Sequence, residues 1–317
     1  MTKHALLNGC LIQLDARTAD QCNLFLGASG RILGMGYVPD LEDAEFEQID
    51  LKKGYLYPNV GTLSKNALEE VDFVSCRQFA WSTDRTPLST VEDLAASEAR
   101  FKNNHVPVMV LPDLTVEGRY VTPLEDFYRM GYVSFYQDLS ILDLEALEEA
   151  VPVISLLKAT VVLDCSKIDD QKEVVADLIL FLKHFPMFKA LFVGLRSFDA
   201  FRQIYEATKG GLSLRISCDR DVMDVWAKTD FKRVMLAVEA DVIMAVSSAT
   251  GVQELLVFLS ETMQFEAVQV AVLLSGAVRC LSAEEFSDFS GNDRPNLVFY
   301  DPLIGALRVC VAGKILR

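Results

Sequence analysis

The apolar run Thr160-Val-Val-Leu-Asp-Cys165, the amphipathic stretch Gln171 to Phe185 and the second apolar run Ala190-Leu-Phe-Val-Gly-Leu195 decide the fold. The two short runs lack polar alternation and read as strands buried on both faces; between them apolar residues recur at the three- and four-residue spacing of a helix. Strand, helix and strand in that order predict a βαβ unit in a parallel sheet. Working outward, Val106 to Pro112, Tyr132 to Tyr136, Leu212 to Cys218 and Asp241 to Ser247 read as further strands. Asp143 to Ala150 and Ser197 to Lys209 read as helices, the second ended by Gly210-Gly211. Upstream, Tyr57 to Leu63 and Val71 to Phe79 bring the strands to eight, the number of a (β/α)8 TIM-like barrel. Only Ser64 to Glu70 separate that first pair, fewer than the roughly ten residues a crossover helix needs. The barrel is therefore expected to be degenerate, its first helix missing or vestigial.

The two ends follow another rhythm. Ala5 to Leu14, Asn23-Leu-Phe-Leu-Gly, Gly30-Arg-Ile-Leu-Gly-Met-Gly and Glu47-Gln-Ile-Asp-Leu are short strands between Gly or Asp turns, and Asn296 to Asp301 with Leu307 to Ile315 predicts a C-terminal hairpin. Residues 1–57 and 291–317 are expected to form one small β-sandwich domain, with residues 58–290 inserted as the barrel.

Composition removes several function classes. The 317 residues are 51% apolar and 24% charged, a globular rather than a disordered balance. Thirty Lys and Arg against 45 Asp and Glu give a net charge of -15, which argues against a nucleic-acid partner. The longest apolar stretch, Ala267 to Val278, is too short to span a bilayer, and the N-terminus lacks a signal-peptide core, so no membrane association is expected. Seven cysteines without a repeated spacing fit a reduced, cytoplasmic chain. The three histidines, His4, His105 and His184, are far apart in sequence, which makes a His-rich metal centre hard to assemble. Neither a Gly-x-Gly-x-x-Gly fingerprint nor a phosphate-binding Gly-x4-Gly-Lys loop is present.

Taken in order, Asn8-Gly-Cys-Leu-Ile-Gln-Leu-Asp, Gly30 to Gly36, Ile49 to Asn59, Val110-Leu-Pro-Asp-Leu-Thr, Met130 to Phe135, Val161 to Ser166, Glu239 to Ser248 and Pro295 to Pro302 resemble the amidohydrolase superfamily and, within it, the dihydroorotase branch. The resemblance implies a β-sandwich leading through a Pro-Gly step, here Pro58-Asn59, into the first barrel strand. It also implies a metal centre at the strand ends, whose positions fall on unsuitable residues. Ser64 and Asn66 stand for the His-x-His pair, Asp164 and Leu191 for the two central histidines, and Ser247 and Ser248 for the strand-eight Asp and the residue after it. Asp164 alone is a usable ligand type. No cofactor, no metal and no catalytic residue are expected.

Residue chemistry by itself leaves an alternative open. Asp164, Asp219 and Asp241 lie on or near strand ends, where they can form an acid and base pair or merely cap turns. Cys76, Cys165, Cys218 and Cys280 lie in apolar segments and read as small buried hydrophobes. Val252 to Leu274 reads as a helix with an apolar face, and its Leu255-Leu-Val-Phe-Leu259 is more apolar than a one-sided surface helix requires and reads either as core or as interface. Two functions follow from the resemblance. One is a catalytically inactive dihydroorotase-like protein acting as a structural subunit for aspartate transcarbamoylase in pyrimidine biosynthesis, in a hetero- or homo-oligomer. The other is an active hydrolase of cyclic amides with an altered metal site.

Overall fold

The computed structural model describes residues 2–36, 46–64, 76–80, 88, 90–101, 106–116, 119–120, 124–141, 144–168, 171–195, 197, 199–200, 203–204, 214–216, 252–282 and 293–316. Strands from both ends of the chain share one sheet. It holds β1 (Lys3–Gln13), β2 (Thr18–Leu26), β3 (Ile32–Met35), β4 (Phe46–Asp50) and β5 (Tyr55–Pro58) from the first part of the sequence. The last part adds β15 (Leu297–Asp301), β16 (Ala306–Val311) and β17 (Lys314–Ile315).

The sheet branches at β1. Its first half pairs with β4 from Lys3 to Leu7 and its second half with β5 at Cys10 and Leu11, while β2 lines the opposite edge throughout. The branch sits at Asn8, whose φ of 54° is left-handed and where the β1–β2 register shifts between Leu6 and Gly9. Asn tolerates that conformation better than other side-chain-bearing residues. Leu6, Leu24, Leu26, Ile49, Leu56, Leu297 and Phe299 are buried together as the core of this sheet.

Pro58 ends β5 and the chain passes through Asn59, again left-handed at φ 51°, into β6 (Gly61–Ser64). The expected single strand Tyr57 to Leu63 is thus two strands in two sheets. Periodicity cannot reveal this, since the break is one backbone angle. β7 (Arg77–Ala80) starts six residues later than Val71, so twelve residues lie between the first two barrel strands rather than seven. Most of them, including Asn66, lie outside the described residues.

β6, β7 and β8 (Val108–Val110) are parallel, as are β11 (Ser134–Asp138), β12 (Thr160–Asp164), β13 (Lys189–Val193) and β14 (Leu214–Ile216). A parallel bridge between Asp113 and Tyr136 joins the two groups, supported by Tyr136 N–H donating to Pro112 O at 2.8 Å and Leu114 N–H to Tyr136 O at 2.7 Å. The described strands therefore follow chain order around a curled half-barrel sheet. The candidate strand Asp241 to Ser247, with Ser247, Ser248 and Asp219, lies outside the described residues. A short pair, β9 (Thr115–Val116) and β10 (Arg119–Tyr120), is set off from the sheet.

Helices α1 (Val91–Ala99), α2 (Leu124–Arg129), α3 (Leu144–Leu157) and α4 (Gln171–His184) connect the strands. α3 continues through Pro152, past the expected end at Ala150. Alternation then divides the strands cleanly. Phe135, Val161, Leu163, Ala190 and Phe192 pack outward against Phe127, Leu147, Ile154, Leu178 and Leu182 of the helices. Tyr136, Val162, Leu191 and Val193 face the other way, with Phe79, Leu111 and two residues of α6 (Ala267–Leu281), Val278 and Leu281. The end of α6 closes this inner face from the strand-start side. Ser134 Oγ donates to Leu281 O at 3.0 Å and Thr160 Oγ1 to Cys280 O at 3.2 Å, which satisfies carbonyls a helix terminus leaves open.

The expected helix Val252 to Leu274 is interrupted. α5 (Val252–Val257) passes into a π turn at Phe258–Thr262, Gln264 is left-handed at φ 54°, and Glu266 starts α6 with a capping box. Leu255, Leu256, Phe258 and Leu259 are buried, so the run left open between core and interface is core; Val257 alone is exposed. Among the described residues no helix is long and apolar enough to cross a membrane.

Asn59 supplies a direct check on the joint between the two sheets. Asn59→Gly should leave unfolding free energy nearly unchanged, whereas Asn59→Val should lower it by about 1–2 kcal/mol or more in chemical denaturation, because a β-branched residue resists left-handed backbone.

Candidate functional site

In a parallel barrel the strand ends gather the side chains available for chemistry. β11, β12 and β13 pair in register so that Asp138, Asp164 and Val193 stand at one level, and Tyr136, Val162 and Leu191 two residues below. Asp113, bridged to Tyr136, adds a third carboxyl beside them. Asp138 and Asp164 are buried and Asp113 is half-buried.

Each of these carboxylates already has partners within the chain. Asp164 Oδ1 accepts the Ser166 amide at 2.8 Å and Oδ2 accepts the Tyr136 hydroxyl at 2.8 Å. Asp138 Oδ1 accepts both the amide and the hydroxyl of Ser140, at 2.9 and 2.6 Å, and Oδ2 is paired with the Lys167 ammonium. Asp113 Oδ2 accepts the Leu88 amide at 2.6 Å. An aspartate accepting the amide two residues on is an Asx turn, a device that ends a strand by turning the backbone. Asp138 and Asp164 both do this, and so do Asp50 with Lys52 and Asp301 with Leu303 in the terminal sheet.

The electrostatics separate the three acids. Burial raises the carboxyl of Asp113 to about 6, reinforced by the neighbouring charge of Asp138 and opposed by the Leu88 amide. Burial also acts to raise Asp138, but the bonds from Lys167 and Ser140 outweigh it and hold that carboxyl below its ordinary value. The Tyr136 phenol is pushed far up by burial and then by Asp164, so it serves only as a proton donor in its hydrogen bond. Burial likewise raises the thiol of Cys165, beside Asp164, to about 12, which leaves it no nucleophilic thiolate. Gly194, left-handed at φ 69°, presses against Ser166: an added Cβ would meet its backbone nitrogen at 2.8 Å.

The positions singled out from the sequence are distributed as follows. Ser64 ends β6; Asp164 ends β12 in the carboxylate layer; Leu191 is buried mid-strand against Val162. Asn66, Ser247 and Ser248 lie outside the described residues. The residue level with Asp164 on β13 is Val193 rather than Leu191. Neither side chain has a donor atom. Asp113, Tyr136, Asp138 and Lys167 were not singled out. Asp113 closes an apolar run and Asp138 follows one after Gln137, which is a readable signal, but only strand register brings them together.

Among the described residues no three His, Cys, Asp or Glu side chains are placed to hold a metal ion. The donor chemistry agrees with this. Both oxygens of Asp138 and Asp164 are engaged, an ammonium stands against one of them, and the next strand presents valine. These residues do not fit a metal centre of the kind found at barrel strand ends.

No protein-family model matches the chain, and no curated protein matches it. Among solved structures it superposes on D-hydantoinase (dihydropyrimidinase) from Thermus sp. with a TM-score of 0.70 at 12% identity, over 98% of this chain and 94% of that one. A β-aspartyl dipeptidase from Fervidobacterium islandicum AW-1 matches with a TM-score of 0.66 at 11% identity, over 99% and 96%. A dihydroorotase matches with a TM-score of 0.60 at 10% identity, over 100% and 99%. These are amidohydrolase-superfamily folds, and the likeness is one of fold.

A pH dependence follows from Asp113. Its raised pKa means that the folded state binds more protons than the unfolded one between about pH 4 and 6, so stability falls as pH rises through that window. Asp113→Asn should flatten this decline and raise the melting temperature at pH 7, as followed by thermal unfolding across pH. Tyr136→Phe removes a donor from buried Asp164 and should cost about 1–3 kcal/mol in the same measurement at neutral pH.

Proposed function

We propose that the chain is a dihydroorotase-like protein without metal-centred hydrolysis, acting as a structural subunit for aspartate transcarbamoylase in the cytoplasm. The observation that carries this reading is the engagement of both oxygens of Asp138 and of Asp164 at the strand ends. Ring opening of a cyclic amide needs an activated water and a polarised carbonyl. Here Asp138 and Asp164 are committed to turning the backbone and to Lys167 and Tyr136. A half-barrel sheet that keeps its outward and inward cores while Asp138 and Asp164 at its described strand ends are tied up by structural hydrogen bonds is suited to binding rather than turnover. Among the described residues the six cysteines form no disulfide, in keeping with a reducing compartment.

One observation favours a second reading, hydrolysis of a cyclic amide at an altered site. Asp113 is half-buried with its carboxyl raised to about 6, a value suited to a general base. In that reading Asp113 takes a proton from water, and the Lys167 ammonium that stands in the layer is already paired with Asp138.

Co-expression with the aspartate transcarbamoylase of the same genome separates the two. The proposal expects co-elution in size-exclusion chromatography, a change in transcarbamoylase activity on adding the chain, and no turnover of dihydroorotate or hydantoin above buffer background with or without zinc. Turnover abolished by Asp113→Asn would establish the second reading. Separate elution at micromolar concentrations would remove the scaffold role.

A further inference from the structure

The sequence holds 45 acidic residues, yet none falls in 127–137, 150–163 or 178–193. Each of those stretches runs from a helix C-terminus through a turn into the next strand. Because β11, β12 and β13 are neighbours in register, the three turns emerge together at the strand-start face of the half-barrel, away from the carboxylate layer. Lys189 Nζ donates to Lys158 O at 3.2 Å and ties two of the turns. The face carries Arg129, Lys158, Lys183, His184 and Lys189; of the acids touching it, Asp126 pairs with Arg129 at 2.9 Å and Glu98 of α1 accepts the Tyr132 hydroxyl in the first turn.

Helix dipoles account for cations at helix C-termini. They do not account for the apolar side chains set among them: Met130 is 50% exposed, Leu156 79% and Met187 77%. One such residue on a surface is ordinary, but here each of three consecutive turns presents one. With adjacent helices packed about 10 Å apart, the three anchors span about 20 Å, within the footprint of a standard protein interface.

We infer that this face docks an acidic surface of a protein partner, with Met130, Leu156 and Met187 as apolar anchors and the lysines as its charge complement. Charge selects this occupant over two others. A closed dimer would place the same cationic patch against itself, which like charges oppose. An extended anionic membrane would meet the field of a chain of net charge -15, whereas a protein patch of limited size feels mainly the local lysines within a Debye length of about 8–10 Å. The inference stands independently of the partner's identity and places the interface opposite the barrel mouth.

The test is a photo-crosslinking amino acid placed at Leu156 or Met187 of the full chain in its own cells, with Leu303, 91% exposed on the β15–β16 turn, as the comparison site. Adducts are identified by mass spectrometry, and the identified protein is purified for affinity measurements at low and high salt. Expected are adducts with one acidic protein from positions 156 and 187 but not 303. Its affinity should drop at least about tenfold in Lys158→Glu/Lys183→Glu and should weaken with salt. Far-UV circular dichroism and the melting temperature establish that this variant is folded; Leu156→Ser/Met187→Ser, which leaves charge unchanged, tests the anchors if it is not. Absence of adducts, adducts only with a second copy, or an affinity untouched by both variants would overturn the inference. So would lysine-dependent flotation with phosphatidylserine-containing vesicles in place of a protein adduct. An adduct with aspartate transcarbamoylase supports surface and scaffold together, while an adduct with another acidic protein keeps the surface and removes that scaffold role.

Discussion

Strand parity is the constraint on which this molecule rests. A parallel strand covered on both faces has no solvent side, so a slip of one residue would exchange its two sets of neighbours. In β11, β12 and β13 the odd and even positions meet different requirements. Phe135, Val161 and Phe192 complete the layer under the helices, while Tyr136, Val162 and Leu191 complete the inner cluster with Val278 and Leu281. The same parity puts Ser134 and Thr160 where the last carbonyls of α6 need donors. Hydrocarbon packing and hydrogen bonding thus enforce one register from both ends of the strands.

The carboxylate layer is a consequence of that register. Two residues beyond Tyr136 and Val162, parity delivers Asp138 and Asp164 to the same face, at the point where each strand must stop. Burying carboxylates is costly unless charge and hydrogen bonds compensate. The chain compensates with Lys167, Ser140, Ser166 and Tyr136, so little is left over for a bound ion or a substrate. Asp113 differs: burial raises its proton affinity, the charge of Asp138 adds to this, and the Leu88 amide offsets only part of it.

The buried strands were legible because continuous apolar runs such as Thr160 to Cys165 admit few other structures of that length. The ends of elements were not. The split of Tyr57 to Leu63 depends on a left-handed Asn59, and the interruption of Val252 to Leu274 on a π turn followed by left-handed Gln264. Both are backbone events that hydrophobic periodicity does not encode. Nor does a proline stop a helix whose apolar face is otherwise continuous, as Pro152 in α3 demonstrates. At the strand ends Asp164 was visible as the residue closing an apolar run, but its partner Tyr136 sits 28 positions earlier and becomes a neighbour only through pairing.

The pairing of β5 with β15 has a consequence for synthesis. Leu56 lies against Phe299 and Tyr57 against Val298, with nearly the whole barrel between them in the chain. During translation the edge of β5 stays without that neighbour until β15 leaves the ribosome. Gly30 and Gly313 then pack so closely that an added Cβ on the latter would fall 1.6 Å from Gly30 O. The sheet that β1 to β5 begin is therefore sealed only after the barrel strands have been made. A ribosome stalled late in the message would release a nascent chain with an open hydrophobic edge, a form that chaperones recognise and that aggregates readily.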